Sequence, residues 1–209
     1  MRAPVLRPFL VISENRRAYL VLNALAYGLT LAGFLIGLAF PDLTRARESA
    51  MVEDGTAALV TQLVDTPPLF ALMILAVNVL RLSLLTIVLP SVVVPFAGLV
   101  AFGFWAVQTG ITLVPLTADG WVALIPHSLT LVIELQAYIL LLLGVYLHGM
   151  FWLRPTALAG VVRHRQGYLQ GLRRIGVLAP PALALLVIGA IWEAYSLRYL
   201  VHPLGQWLA

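Results

Sequence analysis

The chain has no cysteine and no lysine among its 209 residues, and only 11% of them are charged. Without cysteine there is no disulfide framework, no thiolate nucleophile and no Cys-ligated metal. The thirteen basic residues are all arginine, set against nine acids. They gather at the ends of apolar runs instead of forming one basic domain, which argues against a nucleic-acid partner. The sequence also lacks HExxH, GxSxG and Walker motifs, so zinc-hydrolase, serine-hydrolase and nucleotide-binding readings have no support. Its four histidines, His127, His148, His164 and His202, are far apart. No metal and no cofactor are expected.

What the chain has in abundance is apolar sequence, 61% of the total. A helix crosses a bilayer in about 20 such residues. The pattern predicts an all-α, polytopic membrane helix bundle of five spans. A cytoplasmic N-terminal segment, 1–18, precedes one membrane domain, 19–209. No cleaved signal peptide is expected, because Arg2, Pro4, Arg7 and Pro8 interrupt the start. The first span runs from about Tyr19 to Phe40, with Ser13 as its N-cap. A polar segment, 42–68, follows and is long enough for one surface helix. The second span, Leu69 to Leu89, is stopped by Pro90; the third, Val94 to Leu113, has Pro95 in its first turn. The run from Trp121 to Trp152 measures about 48 Å as a helix, against a hydrocarbon core of about 30 Å. A break near Pro126 is therefore expected in the fourth span. The last span, Ile175 to Leu197, is expected to kink at Pro180-Pro181.

Arginine placement sets the orientation. Arg2, Arg7, Arg16 and Arg17 precede the first span. Arg154, Arg163, Arg165, Arg173 and Arg174 fall in the basic loop, 153–174, before the last. Five crossings put both groups on one side, which the positive-inside rule makes cytoplasmic. Segment 42–68 is then external. The loop arginines are expected to contact anionic lipid headgroups or a cytoplasmic partner.

Ionisable groups within spans are costly, from about 2.5 to 3.5 kcal/mol upwards each, and mark candidate sites. Arg81, Glu134 and Glu193 are such groups here. His127, Glu134, Tyr138 and His148 recur on one helical face. An Arg81–Glu134 pair joined by Asn78 is expected, lining an outward-facing cleft with His127 and Tyr138, which Glu193 closes. Such a cluster glues helices together, handles a substrate, peptide or partner helix, or carries protons. Gly33 and Gly37 form a GxxxG for close helix contact, internal or dimeric. Gly167 and Gly171, assigned to the loop, are not read that way.

Three stretches carry a resemblance: Asn78-Val79-Leu80-Arg81, Leu124-Ile125-Pro126-His127, and Ile191-Trp192-Glu193-Ala194-Tyr195 with His202-Pro203. On these the chain resembles the stage II sporulation protein M (SpoIIM-like) family of bacterial integral membrane proteins. The family usually follows Pro-His with Gly and places its Glu about four residues on. Here Ser128 follows, Leu131 stands at the Glu position, and Glu134 comes seven residues after the His. The resemblance implies a non-enzymatic subunit or scaffold of the bacterial cytoplasmic (inner) membrane, working with membrane lipids and other membrane subunits or a cytoplasmic ATPase. It implies association with an ABC-type exporter, with bacteriocin-like peptide maturation and secretion, or with cell-wall remodelling. A homo-oligomer is compatible with it. The alternative is an intramembrane enzyme acting on a peptide or lipid through Glu134, His127 and Glu193. That chemistry needs a second acid beside His127, because seven residues of helix separate His127 from Glu134 by about 10 Å.

Overall fold

A computed structural model describes residues 7–156 and 163–208. Nine helices and no strand occur among the described residues: α1 (Arg7–Glu14), α2 (Arg16–Ala39), α3 (Pro41–Glu53), α4 (Thr56–Leu63), α5 (Pro67–Val93), α6 (Ala97–Thr112), α7 (Ala118–Leu153), α8 (His164–Tyr199) and α9 (Val201–Leu208). Four of them, α2, α5, α7 and α8, are long and apolar enough to cross a membrane; α6 is apolar but has only 16 residues. The class is thus a multi-pass helical membrane bundle.

The prolines end fewer helices than expected. Pro126 lies inside α7, a single helix of 36 residues; Pro180 and Pro181, where a kink and not an end is expected, lie inside α8, also of 36 residues. At Pro126 the fourth span is continuous, not broken. Its carbonyl is held from outside the helix by the Trp192 indole N–H at 3.0 Å. Pro90 does not stop α5, which runs on to Val93. The reason lies upstream: residues Val77–Val88 are wound as a π-helix. Proline's ring normally strikes the carbonyl four residues back, and the wider i→i+5 winding displaces that carbonyl. Ser83 and Thr86 reinforce the winding, their hydroxyls donating to Asn78 and Arg81 carbonyls five residues back.

Other boundaries also move. Ser13 lies within α1 and its hydroxyl donates to the Leu10 carbonyl, so it is no N-cap; Asn15 stands before α2. Pro95 falls ahead of α6. Segment 42–68 holds two helices, α3 and α4, separated at Gly55, whose φ of +80° suits glycine. The predicted basic loop is largely helical, because α8 begins at His164. Residues 157–162 of that loop lie outside the described residues.

Two antiparallel pairs organise the bundle. In α2 and α6, the helix backbones meet where Gly33 faces Val107 and Gly110 faces Thr30, so the predicted GxxxG contact is internal. In α7 and α8, Gly171 lies against His148, where an added Cβ would stand 2.6 Å from its Cα. Gly167 likewise faces the Phe151 carbonyl. Gly167 and Gly171 thus form a close-contact seam of a helix, contrary to their assignment to a loop. The core lies along α7, where residues Ala137 to Val145 are all buried. One end of the bundle gathers α1, the start of α8 and the start of α6, with Glu14 3.8 Å from Arg174 and Phe96 beside Tyr146. The other gathers α3, the start of α7 and α9, with Thr44 bonded to the Ile111 carbonyl and Phe34 edge-on to Trp121.

Candidate functional site

Residues 127, 130, 134 and 138 of α7 are spaced by three or four positions, so one helix face carries His127, Thr130, Glu134 and Tyr138. Helices α5 and α8 pack against this face and each supplies a partner. The Asn78 side-chain amide of α5 donates to Glu134 Oε1. Glu193 of α8 reaches His127, its Oε1 3.3 Å from Nδ1. One turn deeper on α8, Gly189 lets the Glu134 side chain lie against the helix; an added Cβ there would stand 3.1 Å from Glu134 Cγ. The result is two cross-helix polar contacts, one tying α5 to α7 and the other α7 to α8. Between and below them, the Thr130 and Tyr138 hydroxyls are fully buried and unpartnered among the described residues. The Tyr138 ring is held by Phe102 and Trp105 of α6.

The structure separates Arg81 from this cluster. Arg81 is exposed, and among the described residues it makes no ion pair or side-chain hydrogen bond. The expected Arg81–Glu134 pair is not formed, and Asn78 alone takes the carboxylate. Three residues apart, Asn78 and Arg81 would point roughly 60° apart on an α-helix. The wider winding of Val77–Val88 spreads them further. His148, on the predicted stripe, lies about four turns below Glu134, buried and packed edge-on to Tyr168. It is not part of the cluster.

At the level of α9, a cleft of about 690 Å³ opens between α7 and α8, lined by Asp119, Val122, Leu197, Arg198, His202 and Gln206. Val122 and Leu197 bring it to within about a turn of His127 and Glu193. At the opposite end, Arg154, Arg163, Arg165 and Arg173 are exposed. Arg174 instead sits near Glu14 and over the Phe151 ring.

A second polar network escapes a search for ionisable groups. Gln136 projects from another face of α7 toward α2, accepting from Tyr19 at 2.7 Å and donating to Asn23 and Tyr27 at 2.8 and 2.9 Å. Its signal in the sequence is the Tyr19, Asn23, Tyr27 spacing, one polar stripe along an apolar span. Among the described residues no group of three His, Asp or Glu is arranged to hold a metal ion. No protein-family profile matches the chain, and neither a curated protein nor a solved structure is similar to it.

Proposed function

We propose that this chain is a non-enzymatic subunit or scaffold of a bacterial envelope assembly, crossing the inner membrane five times with its N-terminus in the cytoplasm. The observation that carries the reading is the pairing within the cluster. Glu134 is engaged by Asn78 and His127 by Glu193, so the span's ionisable groups are used in joining α5, α7 and α8. Cross-helix polar contacts of this kind contribute about 0.6 kcal/mol on average, enough to fix a register without making a reactive site. Orientation is supported by the arginines, since Arg16, Arg17, Arg163, Arg165 and Arg173 lie at or near the helix ends that meet where Glu14 approaches Arg174. The other end holds Asp42, Glu48, Asp65 and Asp119. Association with an exporter, a peptide-secretion system or wall remodelling rests on the resemblance of Asn78–Arg81, Leu124–His127 and Ile191–Tyr195.

One observation favours a second reading. Glu193 provides the acid that His127 would need as an acid/base partner in an intramembrane enzyme. Mild-detergent purification from the native membrane separates the two. Under the first reading an ATPase or envelope protein co-purifies in fixed proportion, and Glu193→Gln leaves it bound. A lone chain that turns over peptide or lipid, with turnover lost in Glu193→Gln, overturns the subunit reading.

A further inference from the structure

Helix α5 is the least buried of the four long apolar helices; only 17% of its most apolar window lies inside the protein. Arg81 stands near its middle, 81 − 67 = 14 residues from Pro67 and 93 − 81 = 12 from Val93. Those separations are about 18 to 21 Å of helix, more than the roughly 15 Å from the centre of a hydrocarbon core to its edge. The neighbours that share its outward face are apolar and exposed: Val77, Leu80, Leu84 and Leu85. A cation amid such a stripe is unfavourable against lipid tails. The inside of the bundle offers it nothing, because Glu134 and Glu193 are taken by Asn78 and His127.

We infer that the Val77–Leu85 face of α5 is a helix-docking surface whose occupant is a transmembrane helix of another protein carrying a carboxylate at mid-membrane depth, opposite Arg81. This rests on the subunit reading and names the contact by which the subunit joins its assembly. Charge complementarity selects the partner: an acidic side chain is what an exposed intramembrane guanidinium recognises, with both of its oxygens able to accept. A second copy of this chain does not supply that acid, since both span carboxylates face inward. One acid of the chain itself, Asp54 at the α3–α4 turn, lies within reach of the Arg81 charge. Its carboxyl feels the Arg81 charge but accepts its hydrogen bonds from Thr56, and it is fully exposed.

The test uses the purified full chain in phosphatidylcholine vesicles, with a donor dye on a cysteine introduced at Gln206. The probe is a leucine-rich, membrane-spanning peptide with one central Glu and an acceptor dye, compared with its Gln counterpart. Energy transfer is expected at peptide densities about tenfold lower for the Glu peptide than for the Gln peptide. Arg81→Leu is expected to abolish that difference while thermal unfolding stays unchanged. Equal transfer from both peptides overturns the inference, because Arg81 is then satisfied by lipid phosphate or by Asp54. So does a Glu preference that survives Arg81→Leu. If the probe shows no preference while an envelope protein still co-purifies from native membranes, the subunit reading stands and only this docking face falls.

Discussion

Asn78 and Arg81 stand three residues apart and have different structural roles. Asn78 is partly buried and donates to a carboxylate inside the bundle. Removing that donor leaves a carboxylate oxygen unsatisfied where little water reaches, at a cost of about 1 to 3 kcal/mol. Asn78→Ala is therefore expected to lower the unfolding midpoint in detergent, followed by near-ultraviolet circular dichroism. Arg81→Ala removes no contact of the fold and is expected to stay within about 0.5 kcal/mol of wild type. The reverse ranking would return Arg81 to the cluster. The sequence carries the depth of these residues, and it marks Glu134, Glu193 and His127 as costly groups that need partners. Which partner each finds depends on helix winding. Hydrophobic patterning does not reveal the π turn that swings Arg81 outward.

Helix packing offers a sharper comparison, because α8 carries two glycines five residues apart with opposite surroundings. A Cβ at Gly171 would stand 2.6 Å from both Cα and Nδ1 of His148, whereas one at Gly176 would meet nothing within 4 Å. Gly171→Ala must push α8 off α7, an overpacking cost of about 1 to 3 kcal/mol. Gly176→Ala gains helix propensity and is expected to be neutral or stabilising by up to about 1 kcal/mol. Thermal unfolding of the two variants side by side tests this, and equal midpoints would contradict the close seam. At the start of α4, Asp54 accepts from the Thr56 N–H at 2.9 Å. Thr56 holds its carboxyl below the ordinary carboxylate range, with the nearby Arg81 and Arg47 charges adding to the effect. The sign follows from that depression: the contact is present above the ordinary carboxylate range and is lost as pH falls through the lowered folded value. Amide exchange at Thr56, corrected for its intrinsic rate, should quicken on acidification in wild type and be insensitive to it in Asp54→Asn. At this scale hydropathy finds every apolar run, but proline misleads it. Pro90 and Pro126 look like a stop and a break, and tertiary contacts such as the Trp192 indole on the Pro126 carbonyl lie beyond local sequence.

For the molecule as a whole, the open quantity is the number of crossings, and α6 decides it. Its 16 residues measure about 24 Å, short of a hydrocarbon core of about 30 Å. Yet it runs antiparallel to α2, with the Gly33 and Gly110 contacts between them. Phe96, just before it, reaches the end of the bundle that holds Gly149, while Val114, just after it, reaches Gly37 at the other end. A short helix in that position spans by local thinning of the bilayer or by leaning on longer neighbours, each at a modest cost. Five crossings put α1 and α9 on opposite faces of the membrane, whereas four put them on the same face. The chain has no cysteine, so single-cysteine variants report without background. Arg17→Cys and Arg173→Cys, both exposed at the arginine-rich end, should react with a membrane-impermeant maleimide only from the cytoplasmic side. Arg47→Cys and Gln206→Cys, exposed at the acidic end, should react only from outside. Labelling of positions 17 and 206 from one side would reduce the count to four and leave α6 as a helix that enters the bilayer without crossing it. Labelling of all four positions with the two sides exchanged would keep five crossings but invert the protein, leaving its arginine-rich end outside against the positive-inside rule.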